Sequence, residues 1–329
     1  MLRRLDRRLV HYPLRRPFRI SRGVKVSADV VAVAIGAGGH LGRGEGVPYD
    51  RYGETPDGAL AAIALVAEMI TQGGGRAALA EALPAGAARN ALDCALWDLE
   101  ARIAGQSVSA LLGRPAPRPV ASAITIGIDT PERMAAVAGA VASVPVLKVK
   151  VDGVAPEAQI AAVRSAAPTP RLIVDPNESW TIDHLVRLEG FLIDHRVDLL
   201  EQPLPADDDQ ALDAHAFRVA ICADESVHVT ADLDRLEGRY SHVNIKLDKT
   251  GGLTEALLLQ AEARRRGFGV MVGCMVESSL GIAPALQLAS DADFVDLDGP
   301  LWLADDLPGG VNDDHGVLAP PSRGFWGEL

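Results

Sequence analysis

Lysine is scarce in this chain. Of 32 basic residues only five are lysines (Lys25, Lys148, Lys150, Lys246 and Lys249), and the rest are arginine. Arginine suffices wherever a fixed positive charge is needed, so the few lysines are candidates for places where a proton must come off. Cysteine is scarcer still. Cys94, Cys222 and Cys274 are odd in number and far apart, which excludes a disulfide framework and a cysteine-based zinc site. That usage points to a reducing, cytoplasmic setting. No apolar run reaches the roughly 18 residues that span a bilayer. The basic start, MLRRLDRRLVHYPLRRPFRI, lacks the uninterrupted apolar stretch of a secretory signal. A net charge of −12 argues against nucleic acid or an anionic membrane as partner.

What is present is an ordinary globular composition, 48% hydrophobic and 23% charged over 329 residues. This length suits two domains, or a barrel with an appendage. The first forty-odd residues read as strands, VKVSADVVAVAIGAGG among them. GRGEGVPYDRYGETPDG, rich in Gly, Pro and Asp, reads as a long exposed loop. ALAAIALVAEMI and AARNALDCALWDLEARIAG follow with the spacing of buried helix faces, the second stopping at Gly105. The prolines of LLGRPAPRPV mark a boundary near residue 115. Beyond it, short apolar runs recur, each followed by a turn and a helical stretch: ASAITIGI, PVLKVKV, RLIVD, VDLLE, RVAICAD, HVNIKL, FGVMVG and DFVDLD. Eight such runs, with no Gly-x-Gly-x-x-Gly turn, predict a (β/α)₈-type barrel over residues 116–304 rather than a doubly wound sheet. The tail, 305–329, has no place in the repeat. It is expected to pack on an N-terminal α+β domain, residues 1–115, that caps the barrel.

Polar residues end several of these runs. In LKVKV, period-two alternation puts Lys148 and Lys150 on one face and the apolar residues on the other. With the apolar face toward the helices, both lysines enter the barrel mouth. Two close, desolvated ammonium groups each lower the other's pKa, so one could serve as a base. The next three runs finish in Asp175, Glu201 and Asp224. Any one of them could cap a helix. Three converging carboxylates repel one another and call for a cation. An all-oxygen set suits Mg²⁺. Lys246 ends the sixth run, across the barrel from the Lys148/Lys150 strand, so a substrate held between them meets an amine on each face. Asp248 and Lys249 read as a pair at the surface or behind the site. Asp296 and Asp298 form another inward pair, suited to a cationic group such as an α-ammonium, with loop capping as the alternative.

The Lys-x-Lys, Asp-x-Asn, Glu-Gln-Pro, Asp-Glu-Ser and Asn-Ile-Lys series resembles the enolase superfamily, in its muconate-cycloisomerase-type branch. Within that branch the chain is most similar to dipeptide epimerases, including those acting on Ala-Glu dipeptides. The similarity extends to PYDRYGE, AARNALDCALWDLEAR and VNIKLDKTGGLTEAL. It implies a modified TIM barrel with one Mg²⁺ per chain on Asp175, Glu201 and Asp224. Lys150 and Lys246 would be the two acid/bases, with Lys148 tuning Lys150 and Asn177 and Glu225 in support. Thr125 would approach the substrate, and Asp296 and Asp298 would hold the ammonium of a dipeptide. Arg22 and Lys25, in ISRGVK, lie where basic residues could receive an acidic side chain. Glu277, in MVESSLG, departs from the form associated with some Ala-Glu epimerases. A lyase such as o-succinylbenzoate synthase or a cycloisomerase is the rival on this scaffold, and a non-catalytic scaffold protein the rival outside it. The oligomeric state is left open, a homo-oligomer included.

Overall fold

In the computed structural model, which describes residues 2–328, two long strands open the chain as an antiparallel hairpin. β1 (Arg4–Ile20) pairs with β2 (Gly23–Ala37) from Arg4↔Gly36 to Ile20↔Gly23, with an irregularity between Pro13 and Phe18. β3 (His40–Gly46) continues the sheet along the other edge of β2. Helices at Pro56–Leu65, Ala67–Thr71, Arg76–Ala82 and Ala87–Ala104 cover one face. Val31, Val33 and Ile35 pack there against Ile63, Ile70, Leu79, Leu92, Leu96 and Leu99.

The strand β3 corrects the expectation of a loop. Residues 42–46 are a strand, and Gly42, Gly44, Glu45 and Gly46 are buried or nearly so. Three glycines at alternate positions share one face of β3, and each lies against the backbone of helix Ala87–Ala104. A Cβ on Gly42, Gly44 or Gly46 would overlap a carbonyl oxygen of Ala95, Ala91 or Ala87 respectively. Glycine content here reports close approach, not a turn.

The barrel has eight parallel strands in sequential order: Ile124–Ile126, Val146–Lys150, Arg171–Asp175, Leu199–Glu201, Ile221–Ala223, His242–Ile245, Gly269–Gly273 and Phe294–Asp296. The last strand meets the first through Ala123 N–H to Val295 O at 2.8 Å. The expected helix follows strands one, two, three, six and seven. Strands four, five and eight are followed only by 3₁₀ segments at Asp209–Ala214, Thr230–Arg235 and Gly299–Trp302. After strand four, prolines and three consecutive aspartates favour turn geometry over helix. Asp209 is also pinned by Ser226 Oγ at 2.6 Å and the Tyr240 hydroxyl at 3.0 Å.

Ala123, Val146, Ile173, Leu199, Cys222, Met271 and Phe294 fill the barrel interior as one apolar cluster. Two residues further along their strands come Thr125, Lys148, Asp175, Glu201, Asp224, Gly273 and Asp296. The strand period of two therefore puts a polar layer on top of an apolar plug. Leu147, Val149 and Val151 face the surrounding helices instead.

In the tail, Asn312–Asp314 and Val317–Ala319 form a small antiparallel sheet with Val120–Ala121. Trp326 Nε1 donates to Arg43 O at 3.0 Å and to Cys94 O at 3.2 Å.

The glycine stripe yields a stability prediction. Gly44→Ala forces β3 off its helix and lowers stability by about 1–3 kcal/mol, the usual cost of overpacking. A shift of the urea midpoint checks it, and an unchanged midpoint contradicts the close-packing account.

Candidate active site

The polar layer opens into a cavity at the carboxyl ends of the strands. Thr125, Lys148, Lys150, Asn177, Asp224, Glu225, Lys246, Asp296 and Asp298 line it from the barrel. Arg22, Lys25, Tyr49 and Tyr52 line it from the N-terminal domain. Asp175 and Glu201 lie just beneath, fully buried.

Asp175, Glu201, Asp224 and Asp296 are each turned onto an ammonium group. Lys148 Nζ sits 2.7 Å from Glu201 Oε2, 2.7 Å from Asp296 Oδ2 and 3.2 Å from Asp175 Oδ2. Lys150 Nζ also contacts Asp175 Oδ2. On the opposite wall Lys246 Nζ lies 2.7 Å from Asp224 Oδ2. Asn177 N–H donates to Asp175 Oδ1 at 2.8 Å, and Asn244 Nδ2 donates to Glu201 Oε1 at 2.9 Å. Thr125 ties the last pair down, with its N–H 2.8 Å from Asp298 Oδ2 and its Oγ1 3.4 Å from Asp296 Oδ1.

Comparison with known proteins fits this geometry. Residues 5–113 match the mandelate racemase / muconate lactonizing enzyme N-terminal domain, and residues 132–325 match the enolase C-terminal domain-like family. The chain belongs to the enolase superfamily. An L-Ala-D/L-Glu epimerase of Escherichia coli is 49% identical over 298 residues, covering 90% of this chain and 93% of that one. An N-acetyl-D-glutamate racemase of Pseudoalteromonas is 42% identical, covering 91% and 95%. A crystal structure of an enolase family member from Agrobacterium tumefaciens, with homology to dipeptide epimerases and with sodium and L-Ala-L-Glu bound, superposes with a TM-score of 0.96 at 45% identity, covering 99% of this chain and 100% of that one.

Lys148 and Lys246 are held high, where mutual lowering by neighbouring lysines was expected. Burial pulls Lys148 down, but Asp296, Glu201 and Asp175 outweigh it and hold the group well above the usual lysine range. Burial likewise lowers Lys246, and Asp224 more than reverses it. The lysine–lysine repulsion is real, yet carboxylates at hydrogen-bond distance dominate it. Burial raises Asp175 and Asp224, and the lysines beside them bring both below the ordinary aspartate range. Glu201 differs: burial and the nearby Asp175 push its carboxyl up to about 7.

The described residues contain no three His, Cys, Asp or Glu side chains already gathered around one point as a metal cage. The donor chemistry nevertheless fits a hard divalent cation. Asp175, Glu201 and Asp224 offer only oxygen. Lys148 Nζ approaches Glu201 Oε2 off the hydrogen-bonding direction, so that buried oxygen lacks a donor. Together with the raised Glu201 carboxyl, this marks a place with more negative charge than the lysines neutralise.

The expected Asp248/Lys249 pair needs correction. Asp248 and Lys249 form no pair, and neither is at the surface. Lys249 is 1% exposed and donates to Asp224 O at 2.5 Å, Asp224 Oδ1 at 2.6 Å and Asn244 O at 2.9 Å. Burial draws its ammonium below the usual lysine range despite Asp224. Asp248 points the other way, accepting from Val47 N–H and Asn90 Nδ2, each at 2.8 Å. The short helix Leu247–Thr250 turns Lys249 back under the site. Lysine scarcity, applied evenly, would have found it. Glu277 does not line the cavity; Met275 and Val276 from the same segment do. Burial, with Asp248 and Glu45 nearby, raises the Glu277 carboxyl well above its ordinary range.

Lys249→Met takes one donor from each of two buried carbonyls and leaves Asp224 short of a cation. The expected loss is about 3–5 kcal/mol, typical of removing one partner of a buried ion pair. Denaturant unfolding measures it; a midpoint equal to wild type contradicts this role.

Proposed function

We propose that the chain is a Mg²⁺-dependent dipeptide epimerase that inverts the α-carbon of the C-terminal residue, with L-Ala-D/L-Glu as substrate. The observation that carries this reading is the placement of Lys150 and Lys246 on opposite barrel walls with three carboxylates between them. Asp175, Glu201 and Asp224 would hold the cation. Mg²⁺ bound there would supply positive charge to a carboxylate-derived ene-diolate.

The chain's own groups do the rest. The α-proton beside a carboxylate is very weakly acidic, so charge stabilisation and a placed base are both needed. One lysine removes the proton from its face, and the opposite lysine, protonated, delivers one to the other face. In the reverse direction they exchange roles. Lys148, between Glu201 and Asp296, keeps a fixed positive charge next to Lys150 and Asp175. Asp296 and Asp298 receive the α-ammonium, held by Thr125. Arg22 and Lys25 meet the acidic side chain. Asn177 orients Asp175, and Glu225 pairs with Arg22 at 2.7 Å.

An N-acylated glutamate is the competing substrate, since one relative is named for racemising N-acetyl-D-glutamate. It would use the same lysines and Arg22 but bring an uncharged amide to Asp296 and Asp298. The lyase rivals lack the ammonium too. Two acidic groups at that end of the cavity favour a free amine. We place the reaction in the cytoplasm, where the thiols stay reduced, with recycled cell-wall peptide as the source of L-Ala-D-Glu.

Lys150→Ala and Lys246→Ala each cut epimerisation by about 10²–10⁴-fold, the usual worth of one acid/base group. Each retains deuterium exchange on a single isomer through the surviving lysine, as mass spectrometry in D₂O can show. Near wild-type epimerisation by both variants would rule out the two-base reading. If no dipeptide gains deuterium with the wild-type chain while acylated substrates do, the dipeptide assignment fails.

A pH dependence follows from Asp298, whose carboxyl is pushed up to about 6 by burial and the neighbouring Asp296. Its anionic form attracts the ammonium. Protonation as pH falls through about 6 therefore lowers kcat/KM for a free-amine dipeptide, and Asp298→Asn removes that inflection. An inflection that survives in the Asp298→Asn variant belongs to another group.

A further inference from the structure

Behind the cavity stands a four-membered ion cluster built from both domains. Arg51 grips Glu178 with two nitrogens, Nε to Oε2 and Nη2 to Oε1, each at 2.7 Å. Arg22 Nη1 reaches the same Oε2 at 3.0 Å and Asn177 O at 3.2 Å. Its Nη2 lies 2.7 Å from Glu225 Oε1 and 3.2 Å from the Tyr49 hydroxyl. Ala206 N–H closes the shell on Glu178 Oε1 at 2.9 Å.

The cluster is built rather than incidental. Asn177 and Glu178 both hold left-handed backbone, φ 46° and 67°, which is costly for residues with side chains. Glu178 N–H to Gln202 O at 2.9 Å holds that turn in place. The turn aims Asn177 O and the Glu178 carboxylate at the β1–β2 connection, where Ser21 Oγ also donates to Asn177 O at 3.1 Å. Arg22 lines the cavity; Arg51 and Glu178 do not.

The charges decide what the cluster does. Arg22 and Arg51 balance Glu178 and Glu225, two against two. Without Arg51, Arg22 alone would face two carboxylates, and a third entering the cavity would be repelled. The Glu178 side chain is only 8% exposed, so solvent screens that repulsion weakly. With Arg51 present, Glu178 is already satisfied by a bidentate partner, and its hold on Arg22 is a single longer contact.

We propose that Arg51 is a positioning residue for acidic side chains: by engaging both oxygens of Glu178 it keeps that carboxylate from capturing Arg22, and so leaves Arg22 able to meet a carboxylate in the cavity. This rests on the dipeptide reading above and adds to it what sets the side-chain preference. Selectivity then lies in a competition of Glu178, Glu225 and the entering carboxylate for one guanidinium, and Arg51 tips it by occupying Glu178.

The experiment compares wild type, Arg51→Met, Glu178→Gln and the double variant on L-Ala-L-Glu, with the neutral isostere L-Ala-L-Gln as competitor. Arg51→Met raises KM for L-Ala-L-Glu about tenfold, equivalent to about 1.4 kcal/mol. It leaves kcat within about twofold and the inhibition constant of L-Ala-L-Gln unchanged. Adding Glu178→Gln removes the competing charge and restores KM to within about twofold of wild type. A purely structural strut behaves otherwise. Arg51→Met would weaken both dipeptides alike, and the double variant would be no better than the single; either result overturns the proposal. A wild-type chain that turns over no L-Ala-L-Glu would instead overturn the dipeptide reading beneath it.

Discussion

The structure depends on opposed charges packed against one another inside a closed barrel. Lys148, Lys150, Lys246 and Lys249 are all buried, and so are Asp175, Glu201, Asp224 and Asp296. Any of these alone would be costly to bury; together they offset one another at hydrogen-bond distance, leaving an excess of negative charge at Glu201. That arrangement tolerates no register error. A slip of one residue in Val146–Lys150 would send both lysines to the helices and put Leu147 and Val149 among carboxylates. The apolar plug beneath holds the register, because all its side chains but Met271 sit two residues below a polar one.

The N-terminal domain does more than cover the barrel. Its helix Ala87–Ala104 grips the segment that follows Lys246. Arg89 Nη2 donates to Thr250 O at 2.6 Å, Asp93 accepts from Thr254 Oγ1 at 2.6 Å, and Asn90 bonds Asp248. The glycine face of β3 lets this helix lie close enough to reach. One amine of the site is thus set partly by the packing of a different domain, while the Arg22 and Arg51 loops close the cavity from above.

Much of this was legible in the sequence. The eight apolar runs correspond to eight strands, and the Lys-x-Lys alternation placed both lysines inside because strand periodicity is local. Thr125, Asp224, Asp296, Asp298, Arg22 and Lys25 also reach the cavity. Other features were hidden. The Gly42–Gly46 strand reads as a loop because glycine signals flexibility until a helix backbone is known to lie against it. The 3₁₀ segments replace helices where a buried polar network, assembled from distant residues, fixes the chain. Arg51 and Glu178 are 127 residues apart and mean nothing to each other until the domains meet.

By itself the sequence determined the strand repeat, the scarcity and placement of lysine, and which carboxylates end which strands, since these follow from period-two geometry and composition. Only the tertiary structure decided how protons are held. The expected lowering of lysine pKa considered lysines next to one another along a strand. The folded site sets them against carboxylates from other strands, and for Lys148 and Lys246 Coulomb interactions at about 3 Å outweigh both lysine repulsion and desolvation. It also decided that Lys249 belongs to the site, because a single helical turn after Lys246 swings it beneath Asp224. Distance in space, not along the chain, sets the charge of each group.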